Sequence, residues 1–562
     1  MPSDFDAGSA ASQAPAATTP ALGLQDRRWA RFALAALILG FVLRLVYAFP
    51  VHKYVADADC LDSGLRAFRV LRHELPVFYT GARIGCLECY EHAAAFAVLG
   101  IDRSWLAIAP LLAGCALLVV CSLLYRSLLG EASAAIAVLF LALPPPAYIF
   151  WTYMPNTYPE TILLCAAVLW LTDLLTRRPA PLPAFGLGLA AGLGWWNSLQ
   201  IVGVLLPSAV WLLWNRPAVF RRPRIVLLVA AGFLLGALPW EIYNVRHSFA
   251  SLRTDFPTRP AGGLQAVASN FGYVATTSFP ELVASVDPEA TGLFPNPLKF
   301  LRAPVTAIYI AALVFAAVAF LVWLVGAVRR VRPFREPPPA VFLVLVACSA
   351  IAIDILSEAG SRRGLNTRYI LPIYLCIAAA AGLFLRWLWS RSRPLAVSAA
   401  AMVLAFNVAG YALWGTRLRA SWQARLVTDA QLMSFLRDRG VQAVCGNYWL
   451  AYPVNFLSQE KIVGIPEEPI VDIYDYGKGL KGFDKPLRWA LIAMSDRRLN
   501  AWVQNAGLQG EFARPSPRTF LFLPTEEACR KPPSVFLDEV RAALPRPQPR
   551  SSSLAPSDLS RP

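Results

Sequence analysis

The composition of this 562-residue chain excludes an ordinary soluble protein. Hydrophobic residues make up 56% of it and charged residues only 16%, so the apolar surface needs lipid as its solvent. The formal net charge of +16 does not indicate a nucleic-acid partner, because most arginines stand in short clusters beside apolar segments. The positive-inside rule explains such clusters in a membrane protein.

The chain begins with residues 1–26, which are rich in small and polar residues and in proline and are predicted to form a disordered tail. Arg27, Arg28 and Arg31 follow and predict a cytoplasmic N-terminus. A hydrocarbon core of roughly 30 Å needs about 20 helical residues. By this measure we predict about eleven transmembrane helices, at residues 30–49, 105–124, 131–150, 158–175, 184–197, 199–214, 225–243, 304–328, 340–356, 369–388 and 395–414.

Two of these segments, 184–197 and 199–214, are short, and they form either a re-entrant segment or two tilted helices. The odd number of spans predicts that the C-terminus lies outside the cytoplasm. The predicted membrane domain is residues 27–415, and it contains two large external loops at residues 51–104 and 244–303. We expect function to reside in the external segments, because binding and catalytic residues concentrate in loops on a rigid scaffold.

The segment 416–529 is predicted to be a small extracytoplasmic α/β domain. It begins with an amphipathic stretch that ends at Gly440. Four strand-like runs follow, at residues 441–445, 461–465, 488–494 and 519–523, and a helix-like segment at residues 496–505 lies between the last two. Residues 530–562 are rich in Pro, Ser and Arg and are predicted to form a second disordered tail. The predicted fold class is therefore an α-helical polytopic membrane protein with a small C-terminal α/β domain.

The first external loop contains the acidic pair Asp57 and Asp59, directly after the first span. Two carboxylates at this spacing are able to converge on one divalent cation or on one hydroxyl, as metal ligands or as a general base. Acidic residues are also common in solvated loops, so both interpretations stay open. Leu61, Leu65 and Phe68 predict an amphipathic helix that begins just after Asp59.

Further along the same loop, Glu88, Glu91 and His92 are candidates to face the same cavity. Cys86 and Cys89 form a single C-x-x-C pair, which is weak evidence for zinc without further ligands. A loop disulfide and two unpaired thiols are the alternatives. Arg44, inside the first span, marks either a functional cavity or a side chain that extends to the membrane surface.

Four short motifs give residues 30–414 a resemblance to a known family. The motifs are Asp57-Ala58-Asp59, Gly85-Cys86-Leu87-Glu88, Leu143-Pro144-Pro145-Pro146 with Tyr158-Pro159-Glu160, and Arg368-Tyr369-Ile370-Leu371-Pro372. Through them the sequence resembles the multispanning GT-C glycosyltransferases that use polyprenyl-phosphate sugars, especially the aminoarabinose transferases and protein mannosyltransferases.

The resemblance implies roles for particular residues. Asp59 or Asp57 would activate the acceptor as the catalytic carboxylate, or would bind a divalent cation, for which these two are the only candidate ligands. Tyr369, Glu88 and Glu160 would line the substrate site. For Glu160 there is a simpler explanation, since an acid in the first turn of a helix is favoured by the helix dipole.

Arg362, Arg363 and Arg368 stand in a predicted external segment and so depart from the positive-inside rule. Guanidinium groups bind phosphate oxygens through two parallel hydrogen bonds, which suits a donor phosphate. Ion pairing with Glu358 or Asp354 is the alternative.

Together these features predict a glycosyltransferase of the bacterial inner membrane, within the cell envelope. It would move a sugar from a polyprenyl-phosphate donor to a glycan, lipid or protein acceptor on the external side. A transporter or a lipid-handling protein is the alternative, but charged residues deep in the spans are sparse and no inverted repeat is evident.

Overall fold

The computed structural model describes residues 24–55, 58–79, 84–153, 157–255, 263–285, 297–329, 337–356, 367–466, 488–517, 519–527 and 529. Of the two predicted tails, residues 1–23 and 530–562 lie outside this part. The first half of the chain forms ten helices within the described ranges: α1 (Leu24–Val55), α2 (Ala58–Leu71), α3 (Leu87–Leu99), α4 (Ile108–Leu129), α5 (Glu131–Ala142), α6 (Pro146–Tyr153), α7 (Tyr158–Arg177), α8 (Pro181–Asn197), α9 (Val202–Asn215) and α10 (Pro223–Arg246).

The second half adds nine described helices and one sheet. The helices are α11 (Ala250–Asp255), α12 (Gly263–Tyr273), α13 (Phe279–Ala284), α14 (Lys299–Val328), α15 (Pro339–Leu356), α16 (Ile373–Arg391), α17 (Arg393–Asp438), α18 (Tyr448–Leu457) and α19 (Asp496–Asn505). Short 3-10 turns lie at Arg103–Ala107, Leu199–Ile201, Pro217–Val219 and Thr367–Ile370, and a π turn lies at Val274–Ser278.

All the predicted spans fall on helices, which confirms a multi-span membrane protein. Among the described residues, seven helices are long and apolar enough to cross a bilayer, or eight if the bent pair α5 and α6 counts as one span. The other three predicted spans form α8, α9 and α15, whose apolar lengths are shorter. Helix length and composition thus support seven or eight spans where the sequence pattern predicted about eleven.

The predicted single helix at residues 131–150 is wrong, because α5 and α6 meet at a bend of 68°. Three consecutive prolines, Pro144 to Pro146, lie at the bend. Proline has no backbone N–H, so the carbonyls of residues 140–142 lose the donors that a continuous helix would supply. In a membrane interior such carbonyls need other donors, because an unbonded polar group there is costly.

Side chains from three other helices supply those donors. Arg44 of α1 donates to the carbonyls of Ala142 and Leu141 at 3.4 and 3.2 Å, and Tyr374 of α16 donates to that of Phe140 at 2.9 Å. On α17, Asn407 donates to the Leu143 carbonyl at 2.8 Å, and Tyr411 donates to that of Pro144. Arg44, which is 2% exposed, therefore caps a broken helix, and extension of its side chain to the membrane surface is wrong.

Helix α17 runs without a break for 46 residues. Its first part, Arg393–Thr416, is one of the apolar spans, and its remainder contains the amphipathic stretch that was predicted as a separate element. The predicted domain boundary at residues 415 and 416 thus falls inside a helix, and the helix leads directly from the membrane into the C-terminal sheet.

The sheet has five described strands in the order β2, β1, β3, β5, β4: β1 (Ala443–Gly446), β2 (Val463–Pro466), β3 (Trp489–Ala493), β4 (Gly510–Ser516) and β5 (Thr519–Pro524). β1 pairs in parallel with β2 and β3, while β5 pairs antiparallel with β3 and β4. The four predicted strands and the helix at residues 496–505 are confirmed. The sequence pattern missed β4, whose residues are mostly exposed, and α18, which carries Pro453 in its interior.

Candidate functional site

Asp59 lies in the first turn of α2, half-buried, where the N-terminal end of a helix stabilises a carboxylate. Its Oδ1 atom accepts a hydrogen bond of 2.9 Å from the hydroxyl of Tyr448. Tyr448 is the first residue of α18, directly after Asn447, whose side chain caps that helix by accepting from the backbone N–H of Trp449 at 3.0 Å. The C-terminal sheet thus places a hydrogen-bond donor against a predicted catalytic carboxylate.

Arg368 lies in the 3-10 turn Thr367–Ile370. Its Nη2 atom donates to the hydroxyl of Tyr369 at 3.1 Å, and its guanidinium carbon lies 5.8 Å from the ring centre of Trp151. Burial lowers the pKa of Arg368, but the neighbouring Tyr158, Tyr369 and Asp59 raise it by more, so the guanidinium stays charged. The structure therefore brings a cation and the carboxylate of Asp59 into one electrostatic neighbourhood.

Glu88, in the first turn of α3, is fully buried. Its Oε2 atom accepts a hydrogen bond of 2.6 Å from the backbone N–H of Thr157, which has a φ of 66° and immediately precedes α7. The side chain of the N-cap residue, Thr157, makes no capping hydrogen bond to α7, so Glu88 caps this helix from a distant segment of the chain. The geometry thus gives Glu88 a structural function beside the proposed site.

Glu160 lies in the first turn of α7 and is 3% exposed. Within the described residues neither of its carboxylate oxygens has a hydrogen-bond partner. The hydroxyl of Tyr79 is buried nearby and is likewise without a partner in that part of the chain. Burial raises the pKa of Tyr79 well above its usual value, and the charges of Glu88, Asp62 and Glu160 raise it further.

The start of α7 lies between Glu88 on one side and the pair Asp59 and Arg368 on the other. Thr157 bonds to Glu88, while the next residue, Tyr158, interacts electrostatically with Arg368 and Asp59. The predicted site residues within the described ranges thus gather around one helix end: Asp59, Glu88, Glu160, Arg368 and Tyr369. Asp57, Arg362 and Arg363 lie outside the described residues, so their predicted roles stay predictions.

Within the described ranges, no group of three or more His, Cys, Asp or Glu side chains is arranged to hold a metal ion. A divalent cation therefore stays a prediction that rests on Asp59 together with Asp57.

Cys86 and Cys89 form a disulfide, which was one of the two alternatives to zinc. Gly85, just before it, donates its backbone N–H to the Asn197 carbonyl at 3.0 Å. A Cβ at Gly85 would lie 2.3 Å from the carbonyl oxygen of Trp196, so the close approach of these two backbones requires glycine.

Trp196 and Asn197, the last two residues of α8, are buried. Trp196 donates its ring N–H to the Val77 carbonyl at 2.9 Å. The side-chain amide of Asn197 donates to the Thr157 carbonyl at 3.2 Å and to the Thr161 hydroxyl at 3.0 Å. The two residues thus join the first loop to the start of α7.

Three aromatic residues near the site were not predicted as site residues from the sequence: Tyr448, Tyr158 and Trp151. Tyr158 was noted only as part of a motif, and Trp151 lies on α6 just after the prolines. Tyr448 is 389 residues from its partner Asp59. The only local signal for Tyr448 was a cluster of aromatic residues after a predicted strand, and such a cluster does not indicate that Tyr448 contacts Asp59.

No family model matches this sequence, and no curated protein sequence matches it. Among solved structures, the chain is similar to ArnT from Cupriavidus metallidurans in the apo state, with a TM-score of 0.58 and 13% sequence identity. That match covers 91% of this chain and 100% of the other. ArnT from the same organism bound to undecaprenyl phosphate matches with a TM-score of 0.54 and 14% identity, over 88% of this chain and 97% of the other.

This chain has the fold of ArnT. The likeness extends over nearly the whole of both chains and so includes the membrane helices and the C-terminal sheet. The fold that the sequence resemblance implied is thereby confirmed.

Proposed function

We propose that this protein is a membrane glycosyltransferase that moves a sugar from a polyprenyl-phosphate donor to an acceptor. The observation that carries the proposal is that Asp59, held by a hydrogen bond of 2.9 Å from Tyr448, interacts electrostatically with the charged Arg368. A carboxylate and a guanidinium in one neighbourhood supply the two groups that such a transfer needs.

In the proposed reaction Asp59 is the general base. It takes the proton of an acceptor hydroxyl while the oxygen of that hydroxyl forms a bond to the anomeric carbon of the sugar. The bond between that carbon and the donor phosphate oxygen breaks, and the electron pair leaves with the polyprenyl phosphate. Arg368 stabilises the leaving phosphate, because two N–H groups of a guanidinium match two phosphate oxygens.

The donor class is supported by the fold. ArnT shares this architecture and has been solved bound to undecaprenyl phosphate. In this chain, the rings of Trp151, near the end of α6, and of Tyr369, just before α16, flank the guanidinium of Arg368, so a phosphate held there would have its lipid tail next to the bilayer. We propose the external face of the bacterial inner membrane as the side on which transfer occurs.

The test compares Asp59→Asn, Asp57→Asn and the unaltered protein in nanodiscs. The donors are a panel of radiolabelled undecaprenyl-phosphate hexoses and pentoses, and total membrane lipid extract serves as acceptor. We expect Asp59→Asn to abolish transfer and Asp57→Asn to weaken it, with both variants folded as the unaltered protein. Full activity of both single variants and of the double variant would remove these carboxylates from the mechanism.

A transporter is the second candidate, and reconstitution of the unaltered protein into liposomes distinguishes it. If the unaltered protein moves a labelled undecaprenyl-phosphate sugar between the leaflets of a liposome without releasing undecaprenyl phosphate, the protein handles lipid and does not transfer sugar.

A further inference from the structure

Two tyrosines of α18 in the C-terminal domain contact two aspartates of α2. Tyr448 donates to Asp59 Oδ1 at 2.9 Å, and Tyr452, one helical turn further, donates to Asp62 Oδ1 at 2.6 Å. Residue numbers rise together along the two helices, so α2 and α18 run in the same direction. The C-terminal domain is thereby joined to the helix that carries the proposed base.

The two contacts have different surroundings. Tyr452 is fully buried, and Asp62 is 6% exposed and forms an ion pair of 3.1 Å with Arg66. Arg66 in turn donates to the carbonyls of Phe78 and Tyr79. Asp62 is therefore part of a buried polar network that holds the first loop together, and a substrate does not reach it.

Asp59 differs from Asp62 in being half-buried and in interacting electrostatically with Arg368. Hydrogen bonding of its Oδ1 atom to Tyr448 sets the orientation of the carboxylate plane, and the direction of the second oxygen with it. A catalytic group must be held close to its productive geometry, because small misplacements are costly to the rate.

The position of Tyr448 is itself fixed by packing. A Cβ at Gly64 would lie 2.4 Å from the ring of Phe456, so glycine allows α2 and α18 to approach closely. The rings of Phe68 and Phe456 stack with centres 5.2 Å apart. At the other end, Gly446 closes β1 with a φ of 153°, and a Cβ there would lie 1.9 Å from the Ile492 carbonyl oxygen on β3.

We propose that Tyr448 is a positioning residue for Asp59, so that the C-terminal domain completes the catalytic site. This inference rests on the proposed glycosyltransferase function and assigns the domain a role in it. Tyr448 acts through Asp59 and need not touch the substrate.

The test uses the full-length protein in nanodiscs, with the same panel of undecaprenyl-phosphate sugars. Tyr448→Phe removes one hydroxyl at the site, and Tyr452→Phe is the matched control, because it removes the same group from the same helix one turn away. We expect Tyr448→Phe to lower kcat about 10-fold, with the KM for the donor within about twofold and the melting temperature unchanged. Tyr452→Phe should lower the melting temperature while the kcat of the folded protein stays near that of the unaltered protein.

Three results would contradict the inference, and they are distinguishable. If Asp59→Asn is inactive but Tyr448→Phe keeps full kcat, the proposed function stands and the positioning role is wrong. If both tyrosine variants lose melting temperature and kcat alike, the contact is only structural. If the unaltered protein transfers no sugar from any donor in the panel, the proposed function fails and the inference fails with it.

Discussion

At the scale of single residues, Arg368 is the side chain on which phosphate binding depends in the proposed mechanism. Lysine keeps the charge but loses the planar fork of donors, and glutamine loses the charge as well. We expect Arg368→Lys to weaken the affinity for undecaprenyl phosphate roughly tenfold and Arg368→Gln to weaken it further. Titration of the purified protein with undecaprenyl phosphate measures both affinities.

The matched control for that experiment is Arg391→Gln, at the opposite end of α16 from the turn that carries Arg368. Its affinity should equal that of the unaltered protein. An unchanged affinity in Arg368→Gln would show that the phosphate binds elsewhere.

His92 was expected to face the cavity, but it is fully buried and its Nε2 atom lies 3.1 Å from the Leu106 carbonyl oxygen. That oxygen is only an acceptor, so Nε2 carries the proton of the neutral ring. Burial lowers the pKa of His92 to about 4, although the bond to Leu106 opposes the shift. His92 thus belongs to the packing of the first loop.

This shift predicts an acid dependence of stability. The folded-state pKa is lower than the ordinary 6.5, so the unfolded chain takes up a proton first as the pH falls. The contribution of neutral His92 to the free energy of unfolding is fully present above about pH 6.5. By about pH 5 the free energy of unfolding has fallen by roughly 2 kcal/mol. Melting temperatures of the unaltered protein and of His92→Gln, measured from neutral to mildly acidic pH, should show a steeper fall for the unaltered protein. If the melting temperatures of the two proteins fall in parallel with pH, the lowered pKa of His92 is wrong.

At the scale of secondary-structure elements, the break between α5 and α6 depends on donors from other helices. We expect Arg44→Leu to destabilise the protein by roughly 3 kcal/mol, because it leaves two carbonyls in an apolar interior without their charged donor. Thermal unfolding in detergent measures the loss. The control is Arg31→Leu, an exposed position on the same helix, which should have little effect. Equal melting temperatures for the two variants would show that another group caps the break.

Helix α17 is the element that joins the two parts of the molecule. Because it is continuous from Arg393 to Asp438, the C-terminal sheet is attached to the membrane bundle by a rigid rod. The second attachment is the contact between α2 and α18. These two attachments explain how the C-terminal domain is positioned precisely enough for Tyr448 to donate a hydrogen bond to Asp59.

At the scale of the whole molecule, the site and the C-terminal domain lie at one end of the helix bundle. α7 begins at the site with Tyr158 and ends at Arg177, so the residue that follows, Arg178, lies at the opposite end. We predict that a cysteine at Glu511 in the sheet reacts with a membrane-impermeant thiol reagent from the external side. A cysteine at Arg178 should react only after the membrane is opened.

The labelling needs a background in which the other exposed cysteines are replaced, since Cys348 is exposed. Opened membranes, in which both positions should react, serve as the control. Reaction of both positions from the same side would show that the helices do not cross the bilayer as proposed.

The sequence by itself determined the membrane character, the positions of most helices and four of the five described strands. Those features depend on apolar runs and on residue spacing, which are local properties. It also indicated Asp59, Arg368 and Tyr369, which the structure brings together. Glu88 was indicated as well, although its hydrogen bond to Thr157 shows that it caps a helix.

Only the tertiary structure decided which residues meet. The apolar run at residues 131–150 predicted a single helix, and nothing local to it indicates that Arg44, Tyr374, Asn407 and Tyr411 supply donors to a break there. Likewise no local pattern relates Tyr448 to Asp59 across 389 residues. The reason is physical: buried polar groups must be satisfied by whichever donors the packing brings near, and packing depends on the whole chain at once.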